Sequence, residues 1–158
     1  MIREKSAGVI VYRMHPKEGL QYLLLYLHDN YWNFSKGHVE EGETEMEAAV
    51  RELQEETSLK DLKLIPDWCQ RTHFFFKQDR EGNSELIKKD LALYLAQAPV
   101  DAHIDISDKV SKHEVINGYA WMDFKTACKQ LKFKNLKQIL EEADSYINKP
   151  KDGNRPLV

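Results

Sequence analysis

The chain has 158 residues, 42% of them hydrophobic and 31% charged, with a formal net charge of −3. That length suits one domain with its own hydrophobic core, and the charge balance lacks the global basic field that draws nucleic acid. No run approaches the roughly 20 apolar residues of a membrane helix, "MIREKSAGVIVYRM" has no long apolar leader region, and Cys69 and Cys128 have no metal-binding spacing. The simple expectation is a reduced, cytoplasmic protein, without internal repeats or low-complexity tracts.

In chain order, "SAGVIVYRM" and "QYLLLYL" are apolar, β-rich runs on either side of "HPKEGL", whose Pro16 and Gly19 predict a turn between two strands. "HDNYWNFSKGHVEEGE", with Gly37 and Gly42, reads as a long polar loop. From Thr44 the period becomes helical. Thr44 and Glu47 fit a capping box, and Met46, Ala49, Val50, Leu53 and Thr57 form one stripe. "LKLIPDWCQRTHFFFKQ" and "LIKKDLALYLAQ" flank "DREGNS" and predict a hairpin. Within it, Phe75 must face opposite to Phe74 and Phe76, so those two are expected in the core.

A long irregular connection, "APVDAHIDISDKVSKHEVING", leads to a short strand, "YAWM". Two helices follow, "DFKTACKQL" and "KNLKQILEEADSYINK", the second with Leu136, Ile139, Leu140, Ala143 and Ile147 on one side. The end, with Pro150, Gly153 and Pro156, reads as a loose tail. The pattern predicts a single α/β domain over residues 1–148, a mixed sheet with helices on its faces, and a flexible tail over 149–158.

Eight of the 22 residues from Lys36 to Thr57 are glutamate. At about 100° per residue, Glu52, Glu55 and Glu56 fall on one arc of the helix, with Glu45 beside them, next to the apolar stripe. Like charges at i,i+4 destabilise an exposed helix by a few tenths of a kcal/mol, and by more beside a core. A solvated acidic face is one explanation. A divalent-cation site is the other, because hard Mg²⁺ or Mn²⁺ takes carboxylate oxygens and shares its waters with substrate phosphates.

The spacing is more specific. Gly37, five residues, Glu43, seven residues, then Arg51-Glu52-Leu53-Gln54-Glu55-Glu56-Thr57-Ser58-Leu59 resembles the Nudix box, G-x5-E-x7-R-E-U-x-E-E-x-G-U, at eight of nine defined positions. Ser58 stands where the motif has the glycine that ends the helix, often in a left-handed conformation, at an expected loss of stability. The likeness runs from "AGVIVYR" to "YAWMDF". It implies a Nudix-type α/β/α sandwich around a mixed sheet, and hydrolysis of a nucleoside diphosphate linked to another group. It also implies Mg²⁺, or Mn²⁺, held by Glu52, Glu55, Glu56 and the Gly37 carbonyl. Arg51 would orient the glutamates through a pair with Glu43, or else make an ordinary i,i−4 pair with Glu47.

The flanks resemble the asymmetric diadenosine tetraphosphate hydrolase branch. "WNFSKGHVEEGE" is similar to its W-x-P-P-K-G-H-V-E-x-G-E segment, with Ser35 in place of proline, a change expected to loosen the loop without removing a functional group. Lys36 and His38 then suit a polyphosphate; otherwise they are solvated loop residues. The C-terminal part resembles the same branch. It implies Glu114 as a metal-binding or basic residue rather than an ordinary exposed one, Lys89 as a phosphate contact rather than an edge-strand charge, and Phe75 and Tyr119 as adenine-stacking rings.

The implied activity is conversion of diadenosine tetraphosphate to ATP and AMP. Alternatives are a nucleoside triphosphate pyrophosphohydrolase and an inactive nucleotide sensor. Removal of the 5′ pyrophosphate from RNA is disfavoured by the absence of a clear nucleic-acid surface. The implied partner is a small nucleotide, with no membrane.

Overall fold

Alternation along one strand sorts side chains onto two faces, and here the two faces belong to two separate cores. The computed structural model describes residues 1–28, 30–106 and 115–149. Its strands are β1 (Ile2–His15), β2 (Gly19–Leu27), β3 (Tyr31–Asn33), β4 (Ser35–His38), β5 (Lys63–Arg80), β6 (Asn83–Gln97) and β7 (Ile116–Met122); its helices are α1 (Glu45–Thr57), α2 (Phe124–Gln130) and α3 (Lys134–Asn148). On one face, Ile10 and Tyr12 of β1 join Tyr22, Leu24, Leu91, Leu93 and Leu95, covered by α2 and α3. On the other, Ala7, Val9 and Val11 join Leu23, Leu25 and Leu27, covered by Ala48, Ala49 and Leu53 of α1. The result is the expected α/β/α sandwich.

The seven-stranded sheet runs β3-β2-β1-β6-β5, with β4 on β1 and β7 on β2. The β1–β6 pair is parallel and the others antiparallel, so the sheet is mixed. β2 pairs with β1 only over Tyr12–His15. The vacated edge, Ser6–Val9, is taken by β4. Gly8 allows this, because a Cβ there would overlap the Ser35 carbonyl.

The two short strands correct the expectation of a continuous polar loop. Neither has an alternating pattern of its own; both exist because β1 and β2 offer unpaired backbone to them. α3 shows the opposite case. Its N-cap, Phe133, makes no side-chain cap bond. Its four buried leucine and isoleucine side chains, Leu136, Ile139, Leu140 and Ile147, at about 1.5–3 kcal/mol each, outweigh the roughly 1 kcal/mol of a missing cap.

Two further expectations change. The buried face of α1 is Ala48, Ala49, Leu53, Glu56 and Thr57, and Met46 is exposed, so the stripe is turned toward Glu56. Of the three consecutive phenylalanines only Phe74 packs on the core; Phe76, expected inside, is exposed. β5 is an edge strand, and Phe76 falls in its stretch from Phe75 to Arg80, all of it exposed, that leads to the hairpin turn at Glu81 and Gly82, both at positive φ. The tail expected at 149–158 lies outside the described residues apart from Lys149. Among the described residues no helix is long and apolar enough to cross a membrane.

Candidate active site

α1 begins as its sequence demands. Thr44 Oγ1 accepts from the Glu47 N–H at 3.1 Å, and Glu47 Oε1 accepts from the Thr44 N–H at 3.3 Å. This capping box engages the Glu47 carboxylate, and Arg51 turns to Glu43 instead. Its Nε donates to Glu43 Oε2 at 2.6 Å and its Nη2 to Glu43 Oε1 at 3.0 Å, a bidentate fork. Nη2 also reaches the His38 carbonyl at 3.0 Å, and Nη1 reaches Glu52 Oε1 at 3.0 Å and both oxygens of Glu55 at 3.3 Å. These bonds hold the Glu43 carboxyl below its usual range and push the Arg51 guanidinium further up. Arg51 thus ties the glycine-rich approach to the helix and spaces two of the glutamates.

The three expected ligands occupy different environments. The Glu55 side chain is 53% exposed and that of Glu52 12%. Glu56 is 1% exposed, and its Oε1 accepts from Ser35 Oγ at 3.1 Å. The Glu52 carboxylate lies against Gly37, where any Cβ would fall inside it. Among the described residues no three His, Cys, Asp or Glu side chains form a ready ligand cluster. Instead of one triad there are two groups, Glu52 and Glu55 around Arg51, and Glu56 in the interior. The donors are nonetheless all oxygen, and the cradle at Gly37 brings a backbone strand against a carboxylate. That chemistry fits a hard divalent cation, which would compete with Arg51 for the Glu52 and Glu55 oxygens. Glu114 lies outside the described residues.

A cleft of about 290 Å³ lies beside β4 and is lined by Lys36, Lys89 and Phe75, all expected site residues, and by Tyr31, Asn33, Phe74, Phe76, Leu91 and Phe133. Strand register explains the grouping of Lys36, Lys89, Leu91 and Phe74, because residues paired across strands point to one face, whereas Phe75 pairs with Lys88 and borders the cleft from the exposed edge strand. Lys36 pairs with Gly8, His38 with Ser6, Ser6 with Leu91, and Lys89 with Phe74. The Phe74 and Phe133 rings meet edge to face at 5.3 Å. His38 shares the register but does not line the cleft; its carbonyl serves Arg51.

Tyr119 is not brought into this cleft. It pairs with Leu25, so it shares the α1 face, on the side where Arg13 stacks on Trp121. Tyr31 and Asn33 were missed because their segment carries no strand period of its own. Phe133 was missed because the boundary between two helices decides where it points. The only sequence signal for Phe74 was its alternation with Phe75.

Lys36 and Gly37 are adjacent on β4 but alternate between its faces, so the lysine-bearing cleft and the Gly37–Glu52 contact lie on the two sides of one strand. The arrangement can neutralise a polyanion on one side and present carboxylates on the other.

The NUDIX domain family matches residues 3–143. A bis(5′-nucleosyl)-tetraphosphatase [asymmetrical] from Rattus norvegicus is 30% identical over 150 residues, covering 90% of this chain and 95% of its own. The Mus musculus protein of the same name is 27% identical over 152 residues, with the same coverage. Among solved structures, a C. elegans Ap4A hydrolase binary complex is similar in fold, with a TM-score of 0.74 at 22% identity over 91% of this chain and 97% of the other. Nudix hydrolases generally use divalent metal ions. With eight of nine motif positions kept from Gly37 to Leu59, the mixed sheet between helices and a family match over most of its length, the chain belongs to the NUDIX family and is a Nudix hydrolase.

Proposed function

We propose that this enzyme hydrolyses dinucleoside polyphosphates, chiefly diadenosine tetraphosphate, to ATP and AMP, with Mg²⁺ or Mn²⁺ as cofactor. The observation that carries it is the cleft in which Lys36 and Lys89 sit among aromatic rings, one residue along β4 from the Gly37 cradle of Glu52. The names of the two mammalian relatives support the same substrate class.

In this scheme an adenine stacks on the aromatic wall, a contact worth about 1–3 kcal/mol per base in nucleic-acid binders. Lys36 and Lys89 hold the phosphates as point charges. Glu52, Glu55, Glu56 and the Gly37 carbonyl would hold the cation, which would supply neutralisation of phosphoryl charge and a more acidic water. Arg51 keeps Glu52 and Glu55 in place on the solvent side. Glu114 enters through its family position as a group acting mainly on turnover. The location is cytoplasmic, in keeping with two unbonded cysteines.

Catalysis then depends chiefly on positioning, because one adenosine is fixed at a set distance from the reacting phosphorus. Hydrolysis of diadenosine tetraphosphate in ¹⁸O-labelled water, followed by chromatography of the products, is the test. ATP and AMP are expected, and two ADP would reject asymmetric cleavage. Faster hydrolysis of single nucleoside triphosphates would favour a pyrophosphohydrolase. No phosphate release with any divalent cation would favour a nucleotide sensor.

A further inference from the structure

Ser35 departs from the proline of the related segment, and the structure gives it more to do than relax a loop. It opens β4, pairs with Val9 and is 3% exposed. Its hydroxyl donates to Glu56 Oε1 at 3.1 Å, inside the protein. Two residues on, Gly37 meets the Glu52 carboxylate. Residues i and i+2 of a strand share a face and stand about 6.6–6.8 Å apart, while i and i+4 of a helix stand about 6 Å apart along its axis. β4 and α1 therefore match as two antiparallel rungs, Ser35 against Glu56 and Gly37 against Glu52. One rung offers a donor and the other offers space. Proline has no side-chain donor for the first rung.

We propose that Ser35 is a positioning residue for Glu56, its hydroxyl fixing the orientation of the buried carboxylate against β4. The inference rests on Glu56 being a metal ligand, as in the function proposed above. A carboxylate taken out of water depends on each hydrogen bond that remains to it. Partners that orient a metal ligand change metal affinity or activity by about 10- to 100-fold when removed.

The experiment measures Mn²⁺ binding to the full chain without nucleotide, by calorimetry, alongside thermal unfolding in chelator and steady-state kinetics at saturating metal. Ser35→Ala and the near-isosteric Ser35→Cys should each weaken Mn²⁺ binding about 10-fold or more. Both should lower kcat with little change in KM, and Ser35→Thr, which keeps the hydroxyl, should recover most of the affinity. If Ser35→Ala does not fold, Ser35→Cys decides alone. Wild-type Mn²⁺ affinity in a folded Ala or Cys variant, even one with a lowered Tm, overturns the proposal. Glu56→Gln separates the two levels. Weakened Mn²⁺ binding there, with none at position 35, rejects Ser35 alone; wild-type binding in Glu56→Gln rejects the metal role of Glu56 and the inference with it.

Discussion

The two sides of β4 carry opposite chemistry. Ser35 and Gly37 face the carboxylates of α1, while Lys36, one residue between them, faces the aromatic cleft with Lys89. The acidic side is held by directional bonds, above all the Arg51 fork on Glu43. The basic side is held by strand register and by aromatic packing, as between Phe74 and Phe133. The difference teaches how a site can hold both signs of charge without self-neutralisation. Alternation along one strand directs them to opposite faces, and a polyanion with its cation is what would join them.

The sharpest way to break this division is on the acidic side. Glu56→Gln keeps the shape and the Ser35 hydrogen bond but removes a charge. Turnover should fall by about 1,000-fold, the scale of several kcal/mol of lost cation-dependent stabilisation, with a far-ultraviolet circular dichroism spectrum like wild type. Full activity in chelator, or loss only through unfolding, would end the metal assignment.

On the basic side the effect should be smaller and of another kind. Lys36→Met and Lys89→Met should each raise KM for diadenosine tetraphosphate about 10-fold and alter kcat less, as expected when a charge-assisted contact to the bound substrate is removed. A fall in kcat at constant KM would place these lysines at the chemistry instead of along the phosphate chain.

Acid should separate the two sides through stability. Glu43 and Glu45 are held below the usual carboxylate range, Glu43 by Arg51 and Glu45 by Arg71. For carboxyls depressed by folding, the stabilisation is complete above the unfolded value of about 4.3 and is lost as pH falls through the folded value. Tm should therefore be insensitive to these groups above about pH 5 and fall below about pH 4. Arg51→Gln should flatten that fall, whereas Lys36→Met should not. An unchanged acid limb in Arg51→Gln would show that Glu43 is not held as described.

The smallest expected effect lies at the end of α1. Ser58 sits at φ 61° and ψ 14°, with its N–H on the Gln54 carbonyl. Ser58→Gly should relieve about 1 kcal/mol and raise Tm by a few degrees in thermal unfolding, without moving KM. A loss of stability there would mean that the serine side chain contributes something the backbone geometry does not reveal.

What the sequence determined by itself was local or periodic. The Thr44 capping box, the α3 stripe, the hairpin through Glu81 and Gly82, the left-handed Ser58 and the Nudix spacing each depend on residues a few positions apart. Tertiary structure decided the rest, wherever one side chain had several partners in reach or a segment had no period of its own. Arg51 could pair with Glu43 or Glu47, and the choice fell to Glu43 once the cap engaged Glu47. β4 forms because β2 leaves part of β1 uncovered, and only then does Ser35 meet Glu56, 21 residues on. Tyr119 went to the α1 face because β7 pairs with β2 in that register, and Phe76 went to solvent because it lies in the exposed outer stretch of the edge strand β5. Each of these outcomes depends on the distance between chain segments, which no local pattern of residues encodes.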